Sequence, residues 1–539
     1  PGGFLLRPTS IERGGWVISN PEELRWGQVW PSKDEFLDMA ASRRVIPVVE
    51  KVLVDDATPL GIYRRLAEGD GTFILESAER DGTWDRWSFV GVRSLAHLVA
   101  VEGKARWEGE VPEGLSLSGS ATSMLADAVD RLRTPAFAGL PPLTGGLVGA
   151  LGWDTLYDWE PTLSRTAPYE LDAPDAAMCL AADMVAVDHH KGEVWLIANA
   201  VNANNRAEGA AEAYGRAVGR LRRMERDLAD PAPLFAVGLD SGAPDEPTMR
   251  VSQEDFEKAV LAGKEAVRDG EVFQVVLSQR ADIECKADPI DVYRALRTIN
   301  PSPYMYFLRL SDGAGGSFSV VGSSPETLMR VSQSRITMFP IAGSRPRGAT
   351  VSEDEAYERE LLADPKERAE HVMLVDLGRN DLAKVCVPGT VEVETFMEVK
   401  RYSHIMHISS TVAGRIDEAK TPVDCLAAVF PAGTLSGAPK PRAIELIDQL
   451  EPARRGLYGG VVGYFDFSGN ADLAIAIRTA VVHAGRASVQ AGAGIVADSV
   501  PQTEYVEARN KAAAAVRAVQ VANRLQAVGQ DVGGKNGST

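Results

Sequence analysis

Short strand-like runs are clustered along this chain, and helices separate the clusters rather than the individual strands. Segments such as GTFILESA, RWSFVGV and EVWLIANAV are apolar runs bounded by Gly or charged residues, which is typical of strands. Neighbouring parallel strands need a long crossover, which a strict alternation of strand and helix would supply. Because that alternation is missing, the sequence predicts an α+β fold built from antiparallel sheets.

Apolar periodicity predicts further elements in the second half of the chain. A strand is expected over EVFQVVLSQRADI, with Phe273, Val275 and Leu277 on one face. The other predicted strands are 303–310, 318–322, 335–341, 391–399, 408–414, 460–467, 473–483 and 486–496. The predicted helices are 205–228, 288–299, 352–377, 422–429, 439–450 and 501–526.

Composition shifts divide the chain into five predicted parts. We expect residues 1–45 to be an amino-terminal extension, partly disordered or left over from cloning. The second part is 46–229, and 230–250, rich in Pro, Gly and Asp, is a linker. The fourth part, 251–526, begins with a helix that Ser252 caps, and a disordered tail, 527–539, ends the chain.

Charge and cysteine content argue against several classes of protein. The chain has 539 residues with 57 Lys and Arg against 75 Asp and Glu, so its net charge is −18. Nucleic acid and anionic membrane are therefore not expected partners. No run of eighteen apolar residues suggests a membrane span. The four cysteines follow no disulfide or zinc pattern, which fits a reducing cytoplasm.

Two predicted helices each carry a pair of glutamates three residues apart. Glu367 and Glu370 share one helix face, and so do Glu504 and Glu507, with Lys511 one turn further on. Four carboxylates that converge need a cation, and oxygen ligands without His or Cys indicate Mg²⁺. Acids in early helical turns also favour the macrodipole while facing water, so neither pair alone establishes a site.

Other segments add groups that can bind anions. Gly492 and Gly494 follow a predicted strand, where backbone amides can cradle an anion, although glycine there also makes simple bends. Arg478 lies on an apolar strand, where a guanidinium needs a carboxylate partner from a ligand or from the fold. His404 and His407 lie on another strand, where a histidine also has purely structural uses.

Taken in order, these segments resemble the chorismate-utilising enzymes, and within them the first components of anthranilate synthases. The motifs are VGSSPETL, FPIAGSRPRG, DPKERAEHVMLVDLGRNDL, RYSHIMHIS, FPAGTLSGAPKPRA, GLYGGVVGYFDF, AIAIRT and QAGAGIVADS. They span about residues 253–515, and FILESA and RWSFVG extend the resemblance toward the amino terminus. The fold implied is two-lobed, with antiparallel sheets packed as an orthogonal sandwich and helices outside, so 251–526 becomes the chorismate-binding catalytic domain.

The resemblance implies roles for individual residues. Mg²⁺ would be held by the two glutamate pairs, with Glu370 and Glu504 as direct ligands. Glu326 would protonate the departing ring hydroxyl, and His407, rather than the nearby His404, would assist loss of pyruvate. The implied chorismate contacts are Thr434, Gly343, Ser344, Tyr458, Arg478, Gly492, Ala493, Gly494 and Lys511.

Two positions favour amination at the ring carbon next to the carboxylate. Relatives that add water carry a Lys where this chain has Gln274, which cannot act as a base but can hold neutral ammonia. Read without the family, Gln274 is a polar strand residue facing solvent. Many aminodeoxychorismate synthases carry a nucleophilic Lys where this chain has Ala342. Ser344 replaces a more usual Thr and keeps the hydroxyl.

The resemblance also implies regulation and a partner. ILES and NPSPYMY resemble a feedback site for L-tryptophan, although NPSPYMY also suits a turn entering a core strand. The residues implied at that site are Leu75, Glu76, Ser77, Pro303, Tyr304, Met305, Val462 and Tyr464. Because no Gly-x-Cys-x-Gly nucleophile elbow is present, ammonia is expected from a separate glutamine amidotransferase subunit, in an assembly with two copies of each chain.

Three alternatives remain open from the sequence. An aminodeoxychorismate synthase would stop before aromatisation, and Ala342 argues against it. A salicylate or isochorismate synthase would need no ammonia, and Gln274 argues against it. A catalytically inactive tryptophan-sensing protein belongs to another class, and the full set of Glu, His, Arg and Lys argues against that.

Overall fold

A computed structural model describes residues 20–55, 58–78, 86–171, 173–230, 237–239, 242–402 and 405–527. The α-helices are α1 Lys33–Ala40, α2 Pro59–Leu66, α3 Ala121–Arg131, α4 Ala207–Ala229, α5 Gln253–Arg268, α6 Pro289–Ile299, α7 Val351–Ala363, α8 Pro365–Ala383, α9 Pro422–Val429, α10 Lys440–Leu450 and α11 Pro501–Ala522. Short 3₁₀ turns span Pro21–Glu23 and Trp153–Asp158.

The strands run from the start of the described chain to its end. They are β1 Val29–Trp30, β2 Val45–Val52, β3 Thr72–Glu76, β4 Trp87–Val101, β5 Lys104–Gly109, β6 Gly146–Leu151, β7 Ala176–Asp188, β8 Glu193–Val201, β9 Val237–Leu239, β10 Thr248–Met249, β11 Gln274–Glu284 and β12 Tyr304–Ser311. They continue as β13 Ser317–Ser324, β14 Thr327–Ser332, β15 Arg335–Met338, β16 Ile341–Pro346, β17 Glu392–Arg401, β18 Ile405–Arg415, β19 Gly437–Ala438, β20 Val461–Asp466, β21 Ala471–Ile475, β22 Thr479–His483, β23 Arg486–Ile495 and β24 Leu525–Ala527.

Strand β7 joins two branches of one large antiparallel sheet. Its first residues pair with β6, its last residues pair with β8, and β4 lies along its other edge. From β4 the first branch continues through β3, β12, β13, β22, β23 and β11. From β6 the second branch continues through β20, β21, β14, β15 and β18. The predicted α+β class with antiparallel sheet is confirmed.

Two crossings between the branches lie side by side. Only Pro325 and Glu326 separate β13 from β14, and only 476–478 separate β21 from β22. The Ser324 hydroxyl donates to the carbonyl of Ile475 at 2.7 Å. The Ile475 amide in turn donates to the carbonyl of Glu326 at 3.0 Å. These bonds fix the backbones of both crossings against each other.

Several predicted elements have different limits in the structure. The predicted helix 352–377 is two helices, because Pro365 has no N–H to continue α7 and Asp364 caps α8 by accepting from the amides of Lys366 and Glu367. The predicted strand 473–483 is interrupted at Arg478, whose φ of 53° lies in the left-handed region. Phe273 precedes β11 and is 74% exposed, so it does not share the buried face of Val275 and Leu277.

The interior contains two large apolar clusters and one small cluster beside α7. All four cysteines are buried and unpaired. Within the described ranges, none of the helices combines the length and apolarity that crossing a lipid bilayer requires. The predicted linker range contains β9 and β10, and β9 pairs with β24 near the end of the described chain.

Candidate active site

Glu326 lies at the first crossing with its carboxyl group in a partly closed cleft. The Thr434 hydroxyl donates a hydrogen bond to its Oε2 at 3.2 Å. Burial raises the pKa of Glu326, while the bond from Thr434 and the charges of Lys511 and Arg478 act in the opposite direction. Because burial is the largest effect, the protonated form persists to higher pH than in an ordinary carboxyl, as a general acid requires.

Arg478 occupies the second crossing, opposite Glu326. Its left-handed backbone turns the side chain out of the strand direction, and its Nη1 donates to the carbonyl of Lys511 at 2.9 Å. Burial lowers the pKa of the guanidinium, and the charge of Glu326 opposes that change. The sequence predicted a carboxylate partner; the bond in the structure is to a backbone carbonyl, which leaves the positive charge available to an anion.

Lys511 connects helix α11 to strand β23. Its Nζ donates to the carbonyl of Gly492 at 3.2 Å and lies 2.7 Å from Glu507. Gly492, Ala493 and Gly494 lie within β23, paired with β11; the predicted strand 486–496 is confirmed, and the suggested loop after a strand is not found at these residues. A Cβ at position 494 would lie 2.3 Å from Nε2 of Gln274, so a larger residue there would displace the Gln274 side chain. The half-buried Gln274 amide therefore lies directly over the backbone at Gly494.

His407 on β18 is held in one tautomer. Its Nδ1 lies 2.8 Å from the carbonyl of Gly343, which can only accept, so Nδ1 carries the proton. Burial lowers the pKa of His407, which leaves Nε2 as an unprotonated base near neutral pH. Gly343 is a bulge in β16 with φ of 69°, next to the exposed Ser344. His404 is outside the described residues.

The predicted metal-binding glutamates lie on α8 and α11, and Glu507 of α11 is close enough for its charge to act on Glu370 of α8. Burial raises the pKa of Glu370, and the charges of Glu367 and Glu507 raise it further. Burial and Glu507 likewise raise the pKa of Glu504. Across the described part of the chain, no three acidic, His or Cys side chains converge as a ready-made metal cluster. The set still suits Mg²⁺, which takes only one or two protein carboxylates directly and completes its shell with water and substrate oxygens.

Tyr458 is nearly buried, and the guanidinium of Arg455 lies 5.4 Å from the centre of its ring. No role was predicted for Arg455, and Glu451, four residues earlier, lies just beyond the end of α10, so no helical spacing signals their ion pair. Arg345 was also missed. It lies 3.4 Å from Glu367 and nearer, at 2.9 and 3.0 Å, to Glu360 and Asp364, and its only sequence signal is its place within FPIAGSRPRG.

The residues implied at a tryptophan site come together at the start of β12. Glu76 pairs with Met305 and Leu75 with Tyr306, so β3 carries the ILES segment alongside the β12 residues. The Tyr304 hydroxyl donates to Asp472 at 2.8 Å, and Asp472 is the cross-strand partner of Tyr464. Pro303 precedes β12, Ser77 follows β3, and Val462 is buried on β20 beside Ala474.

Comparison with known proteins assigns the fold and the site to a family. The family model of chorismate binding enzymes matches residues 73–517. The chain therefore belongs to the chorismate-binding enzymes.

Curated relatives then place the chain within that family. Anthranilate synthase component 1 of Arthrobacter globiformis is 52% identical over 94% of this chain and 96% of its own length. The protein of the same description from Mycolicibacterium smegmatis is 51% identical over 92% of this chain and 94% of its own length. Within the family, the chain belongs with the anthranilate synthase component 1 enzymes, which confirms the predicted family and enzyme class.

Solved structures agree with this assignment. The crystal structure of anthranilate synthase component I from Streptococcus pneumoniae superposes with a TM-score of 0.70 at 33% identity, covering 86% of this chain and 99% of the other. The menaquinone-specific isochorismate synthase of Escherichia coli has a TM-score of 0.63 at 17% identity, covering 90% of this chain and 98% of its own, and shares the fold.

Proposed function

We propose that the chain converts chorismate and ammonia to anthranilate and pyruvate in tryptophan biosynthesis, with Mg²⁺ as cofactor. The observation that carries the proposal is the position of Glu326, a carboxyl with a raised pKa that Thr434 orients and that faces Arg478 and Lys511. Two cations beside an acid with a raised pKa suit a doubly anionic substrate whose hydroxyl must leave as water.

The first step is amination. Gln274 holds neutral ammonia. The nitrogen of the ammonia forms a bond to the ring carbon next to the carboxylate. The ring double bonds shift, the bond to the ring hydroxyl breaks, and the proton of Glu326 leaves with that oxygen as water. Arg478, Lys511 and the backbone from Gly492 to Gly494 hold the enolpyruvyl carboxylate, and Tyr458 contacts the ring.

The second step forms the aromatic ring. Nε2 of His407, unprotonated because Nδ1–H is held by the carbonyl of Gly343, accepts the proton from the aminated ring carbon. The bond between the ring and the enolpyruvyl oxygen breaks, and pyruvate leaves once its methylene carbon is protonated. In this proposal, His407 acts beside Gly343 and Ser344, on the opposite side of the substrate from Glu326.

Mg²⁺ would be held by Glu370 and Glu504, with Glu367 and Glu507 around them. When bound, the ion would polarise the ring carboxylate and help the adjacent carbon accept ammonia. Like charges that raise the pKa of Glu370 and Glu504 are relieved when a cation binds between them.

The nitrogen source and the regulator belong to the same proposal. Every cysteine of the chain is buried, so none is placed as the accessible nucleophile of a glutaminase, and a separate amidotransferase subunit would deliver ammonia. L-tryptophan would bind beside Ser77, Tyr304 and Met305, and reduce chorismate affinity from there. A cytoplasmic location suits the unpaired cysteines.

An assay with chorismate and an ammonium salt, with and without Mg²⁺, tests the proposal. We expect anthranilate fluorescence only when both ammonia and Mg²⁺ are present. Mass spectrometry of the product identifies the alternatives, because an aminodeoxychorismate synthase would leave an aminated product that retains the enolpyruvyl group. Product formation without any ammonia source would contradict amination, and tryptophan binding without turnover would indicate a sensor.

A further inference from the structure

Arg455 is a fully buried arginine between three elements of the site. Its side chain is 2% exposed, and Glu451, its ion-pair partner, is 7% exposed. Nε and Nη2 of Arg455 donate to the two carboxylate oxygens of Glu451 at 2.9 and 2.6 Å. The guanidinium also lies 4.3 Å from the ring centre of Trp153. Such a paired, stacked arginine is rigid.

The remaining bonds of Arg455 reach the neighbours of proposed site residues. Nη1 donates to the carbonyl of Leu435 at 2.7 Å, one residue beyond Thr434. Nη2 donates to the carbonyl of Val276 at 2.8 Å, two residues beyond Gln274 on β11. The amide of Val276 donates to the carbonyl of Ser436 at 3.0 Å, which closes the same loop onto the same strand. The face of the guanidinium lies against Tyr458.

Stability alone does not explain this buried pair. Removing two charges from water costs several kcal/mol per ion, and apolar side chains of similar size often replace a buried pair without loss of stability. Glu451 is further satisfied by the amide and hydroxyl of Ser278, both within 2.8 Å. Apolar side chains could therefore hold these elements together equally well, but only directional hydrogen bonds fix their orientation, and Arg455 and Glu451 supply such bonds.

We propose that Arg455 is a positioning residue that sets Thr434, Tyr458 and Gln274 in their catalytic geometry. This inference rests on the proposed function. Thr434 reaches Glu326 only if the loop before Leu435 is held in the correct position. The planar guanidinium of Arg455 fixes that position because it binds Leu435, Val276 and Glu451 at once. Lysine, a point charge on a flexible stem, cannot make those bonds simultaneously.

Arg454 is a matched control because it faces the other way. Its Nε donates to the carbonyl of Ala167 at 2.8 Å, and its Nη1 lies 3.6 Å from Asp154. It is thus an adjacent, largely buried arginine with an ion pair, but its bonds reach the amino-terminal region and none of the groups around Glu326.

Three variants separate positioning from stability. They are Arg455→Lys, the apolar double variant Glu451→Met/Arg455→Met, and Arg454→Lys as control. For the first two we expect folded proteins whose kcat is lower by roughly 10- to 100-fold, the loss typical of a misplaced catalytic group. Arg454→Lys should keep wild-type kcat, and thermal unfolding measures the folded state of each variant.

The pH profile gives a readout that a merely structural role would not move. Thr434 lowers the pKa of Glu326, so loss of its bond shifts the alkaline limb of kcat, expressed per free ammonia, to higher pH. Arg478 and Lys511, the charged groups that face Glu326, are unchanged in every variant. Arg455→Lys and Thr434→Val should each shift the limb, and combining them should add nothing further.

The outcomes are distinct. A folded Arg455→Lys and a folded double variant with wild-type kcat and pH limb would overturn the inference. So would a lower kcat with an unmoved limb and effects that add to those of Thr434→Val. Failure of the wild-type chain itself to form anthranilate would instead contradict the proposed function.

Discussion

Replacement of Glu326 by Gln tests the proposed acid most directly. The substitution keeps the size of the side chain and leaves an amide oxygen that can accept the bond Thr434 now donates to Oε2 at 3.2 Å. It removes only the proton that the departing hydroxyl requires. Loss of a general acid costs roughly 10²- to 10⁴-fold in rate. That loss corresponds to about 3–5 kcal/mol of activation free energy.

The pH dependence adds a second, independent expectation. Burial raises the pKa of Glu326, so the wild-type rate per free ammonia should fall as pH rises through that pKa, at a higher pH than an ordinary carboxyl would give. Glu326→Gln has no proton to lose and should show no such limb. Chorismate binding, measured by calorimetry, should be largely retained because Arg478 and Lys511 are unchanged.

The assay is anthranilate fluorescence with ammonium salt and Mg²⁺ across a pH series. Glu445→Gln is the matched control, since Glu445 pairs with Arg442 at 2.6 Å outside the cleft. Turnover of Glu326→Gln near the wild-type value would refute the assigned role. So would an alkaline limb that persists in the variant.

Four further predictions follow from the same geometry. His407→Asn removes the base at Nε2 and should make an aminated intermediate with its enolpyruvyl group accumulate, as mass spectrometry would detect; a product mixture like that of wild type would contradict it. Glu370→Gln and Glu504→Gln should each raise the Mg²⁺ concentration for half-maximal rate by roughly tenfold or more, and EDTA should abolish turnover of the wild-type chain. Ser77→Phe fills the predicted effector site and should relieve tryptophan inhibition with turnover retained; an unchanged inhibition constant would remove that site. Burial raises the pKa of Asp472 to about 6 from 3.8, so the unfolding free energy of wild type should fall by about 2 kcal/mol relative to Asp472→Asn as pH rises from 4 to 7, measured by urea titration.

Local signals in the sequence located much of the fold and several site residues. Ser252 caps α5, and Pro501 begins α11, as their sequences predicted. The acidic pairs were visible because a three-residue spacing fixes a shared helix face. The break at Pro365 also had a local signal, because a residue before proline avoids helical geometry. The prediction of one helix over 352–377 did not take that signal into account.

The features that the sequence did not predict depend on contacts between residues far apart in the chain, and such contacts leave no local signal. Arg455 bonds to Val276, 179 positions away, and nothing around either residue indicates the other. The turn at Arg478 is imposed by the crossing between two branches of the sheet, so its apolar neighbours still read as one continuous strand. Contacts between segments far apart in the sequence decide both features, and periodicity describes only one segment at a time.

The charge pattern of the cleft explains why the proposed ligands would depend on each other. Glu370 and Glu504 have raised pKa values because burial and neighbouring carboxylates disfavour their ionised forms. The nearby cations Arg478 and Lys511 donate to backbone carbonyls, and Lys511 also lies 2.7 Å from Glu507, so it offsets only part of the acidic charge. A doubly anionic ring would meet repulsion from the acidic helices unless a divalent cation binds there, and the cation would bind better with a substrate carboxylate to complete its shell. Such coupling is reciprocal, so each ligand must raise the affinity of the other by the same factor. Repulsion that remains among these carboxylates is therefore the arrangement expected when bound ligands balance part of the charge.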